Sequence, residues 1–295
     1  MKGIITPIIT PMNEDESICL EELRNQVRRQ IAAGVDGIFC FGTNGEGYIL
    51  SRKEKEEVLE AVIDEAAGRV PIYAGTGCIG TKETIEFSKC AQRLGADVLS
   101  VVTPYFASAS QEELKEHYTA VAEASGIPVI LYNIPARTGH NLAAGTVAKL
   151  AEHPNIAGVK DSSGNFNQML QYIEAGKGKE FCVLSGNDAL ILWSLLAGGT
   201  GGIPGCANVF PERMVGIYRA FCEGDLERAK ELQESIRPFR DCFSYGNPNT
   251  IVKAAVEMKG HPVGKCRKPF SAVSHEAVLR IEEALKKMGE WEECT

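Results

Sequence analysis

The stretch IAGVKDSSGN, residues 156–165, ends an apolar run with Lys160 and follows it at once with Asp161, Ser162, Ser163 and Gly164. An ammonium taken out of water without a partner is costly, and such a group gives up its proton more readily than an exposed one. A neutral amine attacks carbonyl carbon, so Lys160 is a candidate nucleophile for Schiff-base chemistry. The other open reading is a rim lysine whose ammonium pairs with Asp161 or reaches solvent. Further candidates stand at the ends of other apolar runs. In YNIPARTGH, residues 132–140, Tyr132 is either a proton shuttle or a buried aromatic with a satisfied hydroxyl. Arg137 in the same string lies in a loop bounded by Pro and Gly, where it could clamp a carboxylate through two parallel hydrogen bonds. Its plainer fate is a surface salt bridge. In GTNGEG, residues 42–47, Thr43 and Asn44 could cradle a carboxylate together with backbone N–H groups, or could simply shape a strand-to-helix turn.

These strings need a scaffold that gathers strand ends on one face. Eight short apolar runs start at Gly3, Gly37, Pro71, Val98, Pro128, Ile156, Phe181 and Gly199. Segments of helical periodicity alternate with them, several opening on a capping residue and ending at glycine. Ser51 and Glu54 have capping-box spacing, and Thr81 is placed to cap the next helix in the same way. GVDGIF, GADVLS and GGTGGI close three of the units, a sign of repeating βα architecture. Continuous apolar strands alternating with amphipathic helices predict a parallel sheet covered by helices. Eight units predict a closed (β/α)8 TIM barrel, with a doubly wound open sheet as the alternative. Beyond about Ala207 only helical patterns remain. We therefore expect a barrel domain over 1–223 and a C-terminal helical extension over 224–295, with the chemistry at the carboxyl ends of the strands.

Composition narrows the classes. The 295 residues are 44% apolar and 24% charged with a net charge of −8, and the basic residues are scattered rather than collected in a stripe, which argues against a nucleic-acid partner. The N-terminus lacks a signal-peptide pattern and no run of about eighteen apolar residues occurs, so the expected location is cytoplasmic, away from the membrane. Ten cysteines are dispersed without a C-x-x-C pair and five histidines are isolated. The expectation is reduced, mostly buried thiols and neither a metal site nor a histidine-based triad.

Taken together, GIITPIITPM, GTNGEG, TPYF, YNIPARTG, GVK, GGIPG and NPNTIVKAAVEMKG, in collinear order over essentially the whole chain, resemble the dihydrodipicolinate synthase/N-acetylneuraminate lyase family of pyruvate-dependent class I aldolases. The resemblance implies a homotetramer built from two tight dimers, small-molecule substrates (pyruvate with an aldehyde or keto-acid) and no metal or organic cofactor. It implies that Lys160 forms the imine with pyruvate, that Tyr132 and Thr43 handle protons, and that Thr43 and Asn44 hold the pyruvate carboxylate. Asn44 falls where the family usually has a second hydroxyl residue, and its amide can donate the same bond. Ile203 falls where a backbone carbonyl lines the imine pocket, and Arg137 resembles the arginine that grips aspartate semialdehyde in the synthases.

Two departures bear on the substrate. Phe106 replaces a tyrosine that in synthases crosses the dimer interface to complete a hydroxyl relay, and KDSSG stands where many synthases read KEA-x-G. Both point toward relatives acting on 2-keto-3-deoxy sugar acids or hydroxy-oxo acids, while Arg137 points to the synthases. A non-catalytic binding protein on the same scaffold is a third possibility, opposed by the retained Lys160 and Tyr132. Ile79, where lysine-sensitive relatives carry asparagine, and the added charge of Arg52 and Lys55 imply that lysine does not inhibit.

Overall fold

A computed structural model describes residues 1–291; Cys294 lies outside the described residues. Eight parallel strands, β1 (Gly3–Pro7), β2 (Gly37–Cys40), β3 (Ile72–Gly75), β4 (Val98–Val102), β5 (Val129–Asn133), β6 (Ile156–Asp161), β7 (Cys182–Ser185) and β8 (Gly201–Gly202), follow one another around a closed barrel. The open-sheet alternative is thereby excluded, because β8 pairs with β1. The eighth strand is only a glycine pair, and the reason is steric: a Cβ on Gly201 would stand 2.1 Å from the Gly3 carbonyl oxygen. Any side chain there would hold the barrel open.

Between the strands lie α1 (Leu20–Ala33), α2 (Arg52–Ala66), α3 (Thr81–Leu94), α4 (Gln111–Glu123), α5 (Pro135–Thr138), α6 (Ala144–Leu150), α7 (Phe166–Gly176) and α8 (Ile191–Leu196). The helix α9 (Pro211–Glu223) follows β8, and α10 (Leu226–Ser235), α11 (Arg237–Asp241), α12 (Pro248–Met258) and α13 (His275–Lys287) complete the chain. Strand alternation separates two cores. Ile5, Phe39, Tyr73, Val98, Ile130, Tyr132, Leu184 and Ile203 pack in one cluster, while their neighbours on the strands, such as Ile4, Ile38, Leu99 and Leu131, join the larger core with the helices. Among the described residues no helix is long and apolar enough to cross a membrane.

Local expectations hold where the signal is self-contained. Ser51 accepts from the Glu54 N–H and the Glu54 carboxylate accepts from the Ser51 N–H, a reciprocal capping box. Three expectations are corrected. Gly80, not Thr81, is the N-cap of α3, and the Thr81 hydroxyl instead meets His117 Nδ1 at 2.9 Å. The helical pattern expected from Asp225 onward breaks between α10 and α11 just before Pro238, whose ring cannot enter a helix interior. The segment holding Arg137 is the one-turn helix α5, opened by Pro135 and stopped by Gly139 at φ +77°, rather than an irregular loop.

His117 itself makes a testable contribution to stability. It is buried in α4, its Nε2 has no hydrogen-bond partner, and burial lowers its pKa to about 4. As pH falls, the unfolded chain binds a proton at the ordinary histidine value before the folded one does, so stability falls with pH until about 4 is reached. His117→Gln should flatten the dependence of Tm on pH in that window, and thermal melts across it read the difference.

Candidate active site

Lys160 is next to last in β6. Its register partners are Tyr132 on β5 and Leu184 on β7, so consecutive strand pairing alone brings Tyr132 to its side. The side chain is 3% exposed. Its Nζ lies 4.0 Å from the Tyr132 ring centroid and 4.7 Å from that of Phe39. Burial pushes its pKa below the ordinary lysine value, while Tyr132, through its charge and a hydrogen bond, and the charge of Asp188 act in the opposite direction.

The rim-lysine reading fails on this geometry. Asp161 does not pair with the lysine: its buried carboxylate accepts the Asn133 Nδ2–H at 2.9 Å and the Ser163 hydroxyl at 2.8 Å. Room for the lysine stem comes from Gly186 beyond β7, where a Cβ would stand 3.1 Å from Lys160 Cε and 2.0 Å from Ser162 Oγ.

Above the lysine, Tyr132 Oη and Thr43 Oγ1 are 3.1 Å apart, a hydrogen bond in which either oxygen can donate. Both residues line a cavity of about 270 Å³ at the carboxyl ends of the strands. Arg137, itself exposed, reaches the same cavity from α5, and Lys55, Tyr48, Tyr105, Asn247 and Phe270 line it from other segments. Lys160, Asn44 and Ile203 are not on its wall. The lysine sits behind the Phe39 and Tyr132 rings that are. The Asn44 amide lies against Gly205, and Ile203 is buried with its N–H donated to the Ser185 carbonyl. Burial also lowers the pKa of Lys55. Arg52 stacks over Phe87 at 4.3 Å, and Ile79 is half exposed.

The residue expected to bear on a relay, Phe106, points away from this cavity: it is 97% exposed and held at φ +79°. An aromatic ring fully in water on a left-handed backbone is unfavourable on both counts.

Sequence reasoning missed the groups that hold the 42–48 turn from behind. Glu46 forms an ion pair of 2.6 Å with Lys253 of α12, both essentially without solvent exposure, and Glu46 Oε2 also accepts the Arg267 N–H. Asn249 of α12 donates to the Thr43 carbonyl at 2.7 Å. The only signal available was Glu46 inside GTNGEG and Lys253 between the apolar residues of IVKAAV, and nothing local joins two residues so far apart in the chain.

A closed parallel barrel with a buried lysine at a strand end, free of any carboxylate ion pair among the described residues and backed by a tyrosine–threonine pair, defines a class: the TIM-barrel lyases that activate a keto-acid as a lysine imine. The profile of the Dihydrodipicolinate synthetase family matches residues 1–288, and the chain belongs to that family. It is a class I pyruvate-dependent lyase. The 4-hydroxy-tetrahydrodipicolinate synthase of Methanopyrus kandleri is 42% identical over 98% of this chain and 97% of its own length. That of Methanospirillum hungatei is 39% identical over 97% and 99%. Among solved structures, the dihydrodipicolinate synthase of Acinetobacter baumannii complexed with pyruvate superposes with a TM-score of 0.94 at 36% identity, covering 98% of this chain and 99% of that one.

Proposed function

We propose that this chain is a 4-hydroxy-tetrahydrodipicolinate synthase, condensing pyruvate with aspartate semialdehyde. The observation that carries the reading is Lys160, buried without a carboxylate partner among the described residues and stacked on the tyrosine whose hydroxyl meets Thr43. The neutral amine attacks the pyruvate carbonyl carbon and water leaves, giving the imine. Loss of a methyl proton gives the enamine, whose carbon attacks the semialdehyde. The amine of that second substrate then displaces Lys160 and closes the ring. Tyr132 and Thr43 carry the protons of these steps, Thr43 and Asn44 hold the pyruvate carboxylate, and the Ile203 carbonyl faces the imine.

Arg137 holds the second carboxylate. Losing a charge-assisted, two-bond contact is worth roughly 10- to 100-fold in binding. Arg137→Met should therefore raise KM for the semialdehyde by about that factor while KM for pyruvate stays within about threefold. Steady-state kinetics with each substrate varied in turn checks this. A second reading is favoured by Phe106, which has no hydroxyl to extend the Thr43–Tyr132 pair: cleavage or dehydration of a 2-keto-3-deoxy acid. Turnover of such acids with negligible turnover of the semialdehyde selects that reading instead. The exposure and backbone of Phe106 are those of a residue that packs on a second copy, in keeping with a homotetramer of tight dimers. Water then completes the relay where the family has a hydroxyl.

A further inference from the structure

We infer that Asn249, on the C-terminal helix α12, is a positioning residue for the proton relay, acting through Thr43. The inference rests on the relay reading above and adds to it a group that, although it lies on the cavity wall, acts through the Thr43 carbonyl.

Thr43 sits in a turn whose own backbone bonds are few and long, the Glu46 N–H to the Thr43 carbonyl at 3.2 Å and the Gly47 N–H to the Gly42 carbonyl at 3.4 Å. The turn between β2 and α2 is built from glycines and places Phe41 and Glu46 at positive φ. Such a backbone keeps its shape only when its surroundings over-determine it. Those surroundings come largely from the far end of the chain. Asn249 is buried, and its Nδ2 donates to the Thr43 carbonyl at 2.7 Å and reaches Tyr48 Oη at 3.3 Å. Its own backbone is fixed because Pro248 opens α12 and the Asn247 side chain caps it by accepting the Asn249 N–H. One turn further along α12, Lys253 pairs with Glu46 and also donates to the Lys265 carbonyl. Two points three residues apart on the turn, Thr43 and Glu46, are thus pinned to two points four residues apart on one face of a single helix. From the barrel side the Thr10 hydroxyl donates to the Gly45 carbonyl at 2.7 Å.

The consequence falls on one distance. With the Thr43 carbonyl held by Asn249, the Thr43 hydroxyl is aimed at Tyr132 Oη, 3.1 Å away. Without Asn249 that carbonyl keeps only the longer bond from the Glu46 N–H at 3.2 Å, so the peptide loosens and the hydroxyl drifts, and a displacement of the order of 1 Å at a reacting group costs about 100-fold in rate.

The test is a double-variant cycle of Asn249→Leu and Thr43→Val, with kcat and KM measured for each. Leucine keeps the branched heavy-atom outline of asparagine, though it is bulkier, and removes the donor. If Asn249 acts through Thr43, Asn249→Leu lowers kcat by about 10- to 100-fold with KM for pyruvate within about threefold. The double variant is then no slower than Thr43→Val alone. Wild-type kcat in Asn249→Leu overturns the inference, and so do losses that multiply in the double variant, since these show an effect independent of Thr43. Full activity of Thr43→Val would instead remove the relay on which the inference rests, a separate failure. Should Asn249→Leu not fold, the isosteric Asn249→Asp, which lacks the donor, is read in the same way.

Discussion

Replacing Lys160 with methionine should lower kcat by roughly 10³-fold or more and at the same time make the protein more stable at neutral pH. Both effects follow from one fact. The lysine is buried at the end of β6 against Tyr132 and Phe39, and desolvation disfavours its charged form. The folded state therefore binds the proton more weakly than the unfolded chain. Unfolding takes up protons between the lowered value and the ordinary lysine value, so stability rises as pH rises through that interval. Below it, the full penalty of holding an ammonium in the site remains. Methionine has a similar length and no charge, and it removes the penalty together with the nucleophile. The variant should melt above the wild type at neutral pH, with the gap closing as pH rises. A calorimetric series over pH, run beside an activity assay, reads both. A variant that loses activity and melts lower would mean that the lysine contributes to packing rather than strain.

Tyr132→Phe should lower kcat by about 10²- to 10⁴-fold, the range for losing one general acid–base group. The ring is retained, so the stacking under Lys160 and the edge-on contact with Phe39, at 6.3 Å between centroids, survive. What goes is the oxygen 3.1 Å from Thr43. Lysine and keto-acid still meet, so the imine accumulates more slowly but to a similar extent, and the deficit appears in the proton-dependent steps. Rapid-mixing measurement of imine formation beside steady-state turnover separates the two. Equal loss in both would place Tyr132 in carbonyl attack alone, and no loss in either would remove it from the chemistry.

What could be read in the sequence, and what could not, divides by the range of the interactions. The barrel was legible because each βα unit carries its own alternation, and because consecutive strands pair, the adjacency of Tyr132 and Lys160 follows from their places at the ends of β5 and β6. Arg137 was visible as a residue type, while the one-turn helix that presents it depends on Pro135 and Gly139 acting together. Thr81 misled because its hydroxyl has a tertiary partner, His117, which wins over the local backbone. Least legible was the Glu46–Lys253 pair, which exists only because α12 folds back over the carboxyl ends of the strands. Breaking one partner of such a buried pair costs about 3–5 kcal/mol. That hold on the 42–48 turn is a property of the tertiary fold, as is the cavity wall supplied by Asn247 and Phe270 from the last 50 residues.

The central claim is that Lys160 forms a covalent imine with pyruvate, and intact-mass measurement after incubation with pyruvate and borohydride tests it most directly. The wild type should gain the mass of one reduced pyruvate per chain, with the adduct mapped to the peptide containing Lys160, and Lys160→Met should gain nothing. An unmodified wild type, or an adduct that persists in the variant, would contradict the assignment and leave Lys160 a buried lysine without a chemical role.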